Sequence, residues 1–353
     1  MTIPKLRLGD LTVPLPIVQG GMGVGISRSG LASAVANEGG VGVIAAAMPG
    51  ISEPDIRTDP EGANIRALQR EIRQARKKTK GVLGINIMVA MTNYGTMVKT
   101  AIDEGIDIIF SGAGLPLDMP SYLTNGSKTK LVPIISSGRA AKILCKKWLN
   151  KYDYLPDAFV VEGPKAGGHL GFKAEQLEDP AFALENLVRD ALEAVKEFEI
   201  KYERRIPIIA AGGIYTGEDI RKFLDMGAAG VQMGTRFVAT NECDADEAFK
   251  KAYIDAKKED LVVIKSPVGM PGRAIRNDFI AHVNNGTKKP FRCPYHCIKT
   301  CDSEKSPYCI ALALANARDG RLKNGFAFAG SNAYRVNEII SVKELIDSLK
   351  EEY

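Results

Sequence analysis

Short apolar runs alternate with amphipathic segments along roughly the first 240 residues of the chain. Each run has the length of a β-strand and is apolar on both faces, as a strand buried in a parallel sheet is. Eight runs follow this pattern, at 15–21, 41–47, 82–89, 106–114, 131–138, 158–163, 206–213 and 230–237. Helical periodicity occupies the intervals, at 29–39, 64–79, 94–105, 139–150, 181–199 and 218–227. Thr216 and Asp219 form a capping-box pattern at the start of the helical segment 218–227.

This alternation predicts a closed (β/α)8 TIM barrel, since such a barrel takes about 250 residues. A doubly wound open sheet is the alternative, because QGGMGVG after the first run is similar to a dinucleotide-binding turn. The second run, however, continues into VIAAAMPG, without the acidic residue typical of such a site. The barrel is therefore the favoured architecture.

The pattern changes after the eighth run. Residues 244–258 and 310–320 have helical character, whereas 266–279 is loop-like. A last helix at 341–352 begins with its own capping box, Ser341 with Glu344. We expect residues 1–244 and 336–353 to form the barrel, and residues 245–335 to form a small, mainly helical lid domain inserted after strand eight.

Composition narrows the class of protein. Apolar residues make up 45% of the 353 residues, enough for a large core, and charged residues make up 25%. The net charge of +5 is spread among acidic residues, so nucleic-acid binding is not expected. No apolar stretch approaches the roughly 20 residues of a membrane span, and the first residues lack the apolar region of a signal peptide. These features predict a cytoplasmic protein without a membrane or nucleic-acid partner.

Glycines or small polar residues end nearly every predicted strand, and the carboxyl ends of barrel strands form the functional face. Tight turns alone need glycine, but glycines on so many loops of one face favour a large planar ligand approached by backbone. After strands seven and eight, the amides of Gly212, Gly213, Gly234 and Thr235 are placed to donate to a phosphate. No P-loop motif occurs. A phosphate that is bound mainly by backbone amides, with few positively charged side chains nearby, indicates a tightly bound cofactor such as FMN.

His169 follows two glycines in 162-EGPKAGGHLGF-172 and is one of only three histidines in the chain. One interpretation is an exposed histidine in a mobile loop. The other is a residue presented to a ligand, since a neutral imidazole accepts an acidic C–H proton or binds a substrate oxyanion. On the second interpretation, His169 is the candidate catalytic residue.

Four of the six cysteines lie late in the chain, and we call them the cysteine cluster: Cys293, Cys297, Cys301 and Cys309. Without an export signal, they are expected to be reduced thiols or metal ligands rather than disulfides. Their spacing is neither a standard zinc pattern nor the usual ferredoxin pattern. We therefore expect no metal here, and iron–sulfur or zinc binding, with His296 as a spare ligand, stays the minor alternative.

Six segments together resemble the nitronate monooxygenase family, formerly called 2-nitropropane dioxygenases: PIVQGGMGVGIS, GINIMV, PIISSGRAAK, VEGPKAGGHLGF, PIIAAGGI and GVQMGTRF. That family shares its fold with flavin-dependent enoyl-ACP reductase II, and the resemblance covers about residues 13–240. It implies that His169 is the base or nitro-group partner, and that the protein is a homodimer. It also implies the residues that bind FMN: Gln19, Gly20, Gly21, Met22, Asn86, Ser136, Gly168, Gly212, Gly213, Gly234 and Thr235.

Three functions stay open. The leading one is an FMN-dependent nitronate monooxygenase, which oxidises small alkyl nitronates with O2. The second is an enoyl-thioester or quinone reductase on the same scaffold, with NAD(P)H as its electron donor. The third is a flavin redox module without small-molecule turnover, in which the cysteine cluster relays or senses electrons.

Overall fold

The computed structural model describes residues 3–286 and 292–353, and in it all eight predicted apolar runs form strands of one parallel sheet. Two short strands precede the first run, and three more lie outside the sheet later in the chain. In chain order the strands are β1 Leu6–Leu8, β2 Leu11–Val13, β3 Ile17–Gln19, β4 Gly42–Ala45, β5 Leu83–Met88, β6 Ile108–Gly112, β7 Lys130–Ile135, β8 Phe159–Glu162, β9 Gly168–His169, β10 Ile208–Ala211, β11 Gly230–Met233, β12 Leu261–Lys265 and β13 Pro271–Ile275.

The parallel sheet closes on itself. Its strand order is β3-β11-β10-β8-β7-β6-β5-β4, and a parallel bridge between Val18 and Val41 joins its two ends. Two hydrogen bonds of 2.9 Å support that bridge, from the Gln19 amide to the Val41 carbonyl and from the Val41 amide to the Ile17 carbonyl. The predicted (β/α)8 barrel is thus confirmed, and an open doubly wound sheet is excluded.

Helices follow the strands at the places that the periodicity predicted, with ends shifted by a few residues. In chain order they are α1 Ser29–Asn37, α2 Pro60–Lys78, α3 Tyr94–Asp103, α4 Gly138–Tyr152, α5 Leu184–Tyr202, α6 Gly217–Asp225, α7 Thr235–Val238, α8 Glu247–Ile254, α9 Asp278–Asn284, α10 Ile310–Arg318 and α11 Val342–Glu352. Both predicted capping boxes are present, at Thr216 and at Ser341. Within the described ranges, no helix is both long and apolar enough to cross a membrane.

Two apolar layers explain why the strands are apolar on both faces. One fills the barrel interior, where Phe110, Val160 and Ile209 pack with Leu6 and Leu8 of the β1–β2 hairpin. The other lies between the strands and the surrounding helices. The hairpin was not predicted. Leu6, Leu8 and Val13 of the hairpin are fully buried, so it closes the end of the barrel opposite the site described below.

The segment 245–335 contains an antiparallel hairpin as well as helices. Strand β12 pairs with β13, and β13 also pairs with β9 in the loop after β8. The prediction of a loop at 266–279 was therefore wrong for the residues of β13. A hairpin signal was present, since LVVIK and PGRAI flank the turn residues SPVGM. The division of the chain at 244 and 336 stays a prediction.

Candidate functional site

A cavity of about 330 Å³, the main cavity, lies at the carboxyl ends of the barrel strands and beneath the segment 245–335. The structure brings most of the predicted cofactor and catalytic residues into its lining: Gly20, Gly21, Met22, Asn86, Gly168, His169, Gly212, Gly213, Gly234 and Thr235. Gln19 and Ser136 are not part of this lining. The predicted residues, which are spread over more than 200 positions of sequence, thus surround one space.

Gln19 and Ser136 support the walls of the main cavity from behind. Gln19 is fully buried, and its Oε1 accepts a hydrogen bond of 2.9 Å from the amide of Val43, which joins β3 to β4. Ser136 Oγ donates to the carbonyl of Gly171 at 3.3 Å, two residues beyond His169. Neither side chain faces the cavity, so the structure gives both a bracing position.

Glycine is required at two adjacent positions after β10. Gly212 and Gly213 have φ values of +95° and +90°, in the region that side chains disfavour. A Cβ on Gly212 would lie 2.8 Å from the carbonyl oxygen of Gly163, and one on Gly213 would lie 2.9 Å from Lys165 Cβ. This backbone conformation in the cavity lining is possible only because no side chain is present.

Unpaired donors collect at one end of the main cavity. In the described part of the chain, the amides of Gly213, Gly234 and Thr235 donate to no protein acceptor. Ser331 Oγ is buried in the same lining and has no hydrogen-bond partner among the described residues. Buried donors normally find acceptors, so this group fits a ligand that brings several acceptor oxygens, as a phosphate does.

His169 is held in place by the segment 245–335. It pairs with Gly272 in the β9–β13 ladder, and its ring meets Phe328 edge to face, with 5.0 Å between the ring centroids. His169 Nε2 lies 2.7 Å from Ser266 Oγ. Burial lowers the pKa of His169 to about 4, so the imidazole is neutral near pH 7. A mobile surface histidine does not fit these contacts.

Ser266 holds the Nε2 side of the His169 ring. Ser266 Oγ accepts a hydrogen bond of 3.4 Å from the amide of Val268 and keeps its own hydrogen and a second lone pair for His169 Nε2. The other ring nitrogen, Nδ1, has no hydrogen-bond partner in the described residues. His169 therefore leaves one ring nitrogen free for a ligand in the cavity.

Glu162 is a second titratable group in the main cavity, and sequence analysis missed it as a site residue. It ends β8 and lines the cavity, and burial raises the pKa of its carboxyl to about 7. No group in the described residues donates a hydrogen bond to it. The raised pKa makes Glu162 a candidate proton donor or acceptor near neutral pH.

Arg273, on β13, was missed as well. It is buried, and its Nη1 donates to the carbonyls of Pro164 and Ala166, the second at 2.8 Å. Those carbonyls belong to the loop between β8 and His169. Arg273 thus fixes the loop that presents His169, although it is more than 100 residues away along the chain.

The cysteine cluster surrounds a smaller space, the cysteine cavity, of about 90 Å³. Its lining contains all four thiols, together with His296, Ser303 and Ile310. Burial, reinforced by the neighbouring thiols of Cys309, Cys293 and Cys301, raises the pKa of Cys297 to about 12. All six cysteines are unpaired, as the sequence predicted. Among the residues that the structure describes, no three His, Cys, Asp or Glu side chains converge on a single metal ion.

Comparison with known proteins shows which family has this sequence and fold. The model of the nitronate monooxygenase family matches residues 6–352. A Mycobacterium tuberculosis protein named (3aS,4S,5R,7aS)-5-hydroxy-7a-methyl-1-oxo-octahydro-1H-indene-4-carboxyl-CoA dehydrogenase is 29% identical over 273 residues. That match spans 77% of this chain but only 66% of the relative, just under two thirds of its length. A probable nitronate monooxygenase of Staphylococcus aureus is 26% identical over 310 residues, which span 78% of this chain and 79% of the relative.

Two solved structures are also similar over nearly the whole chain. FabK from Thermotoga maritima is 28% identical, with a TM-score of 0.72 over 96% of this chain and 93% of its own. A nitroalkane oxidase from Streptomyces ansochromogenes has a TM-score of 0.73 over 96% of each chain. Its identity is 23%, so that likeness shows the shared fold.

Proposed function

Because the chain belongs to the nitronate monooxygenase family and is therefore an oxidoreductase, we propose that it is an FMN-dependent enzyme that oxidises alkyl nitronates with O2. One observation carries the proposal. Unpaired backbone amides, an unpaired buried hydroxyl and a neutral histidine with an unpaired ring nitrogen all line the same cavity. A phosphate-bearing cofactor and a small oxyanion substrate satisfy these groups together.

The chain's own residues suit FMN. The amides of Gly212, Gly213, Gly234 and Thr235, with Ser331 Oγ, would hold the phosphate. Gly20, Gly21, Met22, Asn86 and Gly168 would border the rest of the cofactor, while Gln19 and Ser136 brace the strands behind it. When bound, FMN supplies the electron acceptor that no amino-acid side chain provides.

His169 would orient the substrate. A nitronate carries its negative charge on two oxygens, and His169 in the tautomer with its proton on Nδ1 would donate a hydrogen bond to such an oxygen. Ser266 and Phe328 keep the ring in one orientation. Lys165, which also lines the cavity, adds a positive charge near an anionic substrate.

Anaerobic mixing of the flavin-loaded protein with an alkyl nitronate tests this function. We expect the nitronate alone to bleach the absorbance of the oxidised flavin. We also expect His169→Ala to slow that bleaching by at least ~100-fold, in line with losses of positioned acid–base groups. The matched control is His282→Ala, because His282 is exposed on α9, away from the main cavity. Equal rates in the two variants would refute a role for His169, and a protein that binds no flavin would refute the whole proposal.

An NAD(P)H-dependent reductase of enoyl thioesters or quinones is the second candidate, and the similarity to FabK over 96% of the chain supports it. The Mycobacterium tuberculosis relative is named for a carboxyl-CoA substrate, which is also a thioester. The same experiment separates the two candidates. Bleaching by NADH or NADPH, with none by the nitronate, would favour the reductase. A flavin redox module without turnover, and the homodimer, stay predictions.

A further inference from the structure

The cysteine cluster forms a built site outside the main cavity. Four thiols from a segment of 17 residues line one enclosed space of about 90 Å³. The surroundings are apolar: Val24, Met48 and Tyr295 pack against Cys293, Cys297 and Cys309. Protein interiors leave few voids larger than a water molecule. Four thiols that border one such space are placed to act together as ligands of a group that fills it.

We propose that Cys293, Cys297, Cys301 and Cys309 bind an iron–sulfur cluster of the [4Fe–4S] type. A single zinc ion would draw four sulfurs to about 2.3 Å from one point and leave no space between them. The described residues contain no such convergence of ligands, whereas the four thiols do border a space. A cuboidal cluster takes one thiolate at each iron and fills the volume between them. Binding displaces the proton of each thiol.

Hydrogen-bond donors around the sulfurs suit an anionic cluster. The amide of His296 donates to Cys293 Sγ at 3.4 Å, from a backbone with φ of +41°. Cys309 is the N-cap of α10, so its sulfur belongs to the residue that precedes the first turn of the helix, where backbone amides lack partners within the helix. Donors to thiolate sulfurs stabilise the negative charge of such clusters and tune their potentials.

The barrel holds this segment in place. The amide of Thr92 donates to the carbonyl of Cys297 at 3.2 Å, and the amide of Lys299 donates to Ala90 at 2.9 Å. Thr92 Oγ1 also donates to the carbonyl of His296 at 2.7 Å. Cys297 and Ile310 line both the cysteine cavity and the main cavity. The proposed cluster therefore lies behind a wall of the main cavity, although its binding does not depend on what the main cavity holds.

The test is iron and acid-labile sulfide analysis of the full-length protein, purified without oxygen from iron-replete cells. We expect about four irons and four sulfides per chain, and an electron paramagnetic resonance signal of a reduced cluster after dithionite. Cys293→Ser and Cys309→Ser are expected to lower the iron content at least several-fold. Cys145→Ser and Cys243→Ser are the matched controls, since both thiols are buried in the barrel and outside the cysteine cavity.

Several results would overturn the proposal. One is iron well below one per chain, both as purified and after anaerobic reconstitution with ferrous iron and sulfide. Another is stoichiometric zinc without iron, which would assign the thiols to a single ion. Iron content unchanged in both cluster variants would place the iron elsewhere. The iron and sulfide content of the wild-type protein tests the proposed cluster even if a variant fails to fold. The flavin content, measured separately, tests the proposed function.

Discussion

At the scale of single residues, burial disfavours the charged forms of His169 and Glu162 in the main cavity. Removal from water lowers the pKa of His169 to about 4 and raises the pKa of Glu162 to about 7. His169 is therefore neutral near pH 7. Glu162, rather than His169, is the candidate for a protein group that titrates near pH 7.

Glu162 also makes stability depend on pH. Its folded pKa of about 7 lies above the ordinary carboxyl value, so its contribution to stability is fully present at low pH and is lost as pH rises toward 7. We expect Glu162→Gln to be more stable than the wild type at pH 8, by up to ~3 kcal/mol relative to their difference at pH 4.5. Urea unfolding of both proteins at the two pH values measures this. A difference independent of pH would contradict the raised pKa.

The predicted residues that line the main cavity have a local signal in the sequence. Glycine pairs at strand ends and a histidine behind two glycines stand out within a few positions of sequence. The partners of His169 lack such a signal, because Ser266 is 97 residues away and comes into contact only through the β12–β13 hairpin. Glu162 lies at the end of a strand, and only the folded structure shows that its half-buried carboxyl has no hydrogen-bond donor among the described residues.

At the scale of elements, β13 connects the segment 245–335, to which it belongs, with the barrel. Its edge pairs with β9, and Arg273 adds hydrogen bonds to two carbonyls of the same loop. The sequence of β13 does not predict its pairing with β9, because β9 has only two residues and forms only when β13 lies beside it. The barrel strands, by contrast, were predictable, since each lies within a longer run that is apolar on both faces and is followed by a helix.

We expect Arg273→Leu to cost ~2 kcal/mol of unfolding free energy, because it leaves two buried carbonyls without donors while removing one buried charge. Displacement of the loop should also slow flavin reduction by substrate at least ~10-fold. The matched control is Arg276→Leu, where an exposed ion pair of 3.0 Å with Asp260 is lost, for less than ~1 kcal/mol. Urea unfolding and anaerobic stopped flow measure the two effects. Similar results for both variants would show that Arg273 does not brace the loop.

At the scale of the whole molecule, one apolar core joins parts of the chain that the sequence pattern separated. Phe249, Tyr253 and Ala317 of the segment 245–335 belong to the same buried cluster as the barrel helices. Helix α11 contributes Leu345 and Leu349 to that cluster, and Glu352 accepts a hydrogen bond of 2.8 Å from the amide of Gly217 on α6. A change of composition along the chain led to the predicted boundary at 244, but composition does not show whether residues 245–335 form a domain of their own.

This shared core predicts one cooperative unfolding transition. The single tryptophan, Trp148, is fully buried in the barrel and reports barrel unfolding by fluorescence, while far-UV ellipticity also follows α8 to α10. We expect the two signals to coincide in urea. We also expect Leu345→Ala to lower the free energy of unfolding by about 3 kcal/mol, as truncation of a buried leucine does, and to lower both urea midpoints together. Ile200→Ala is the matched control, since Ile200 is 72% exposed on α5 and its loss should cost less than ~0.5 kcal/mol. An earlier step in ellipticity alone, insensitive to Leu345→Ala, would instead show that residues 245–335 unfold as a separate domain, and would give the boundaries at 244 and 336 a physical meaning.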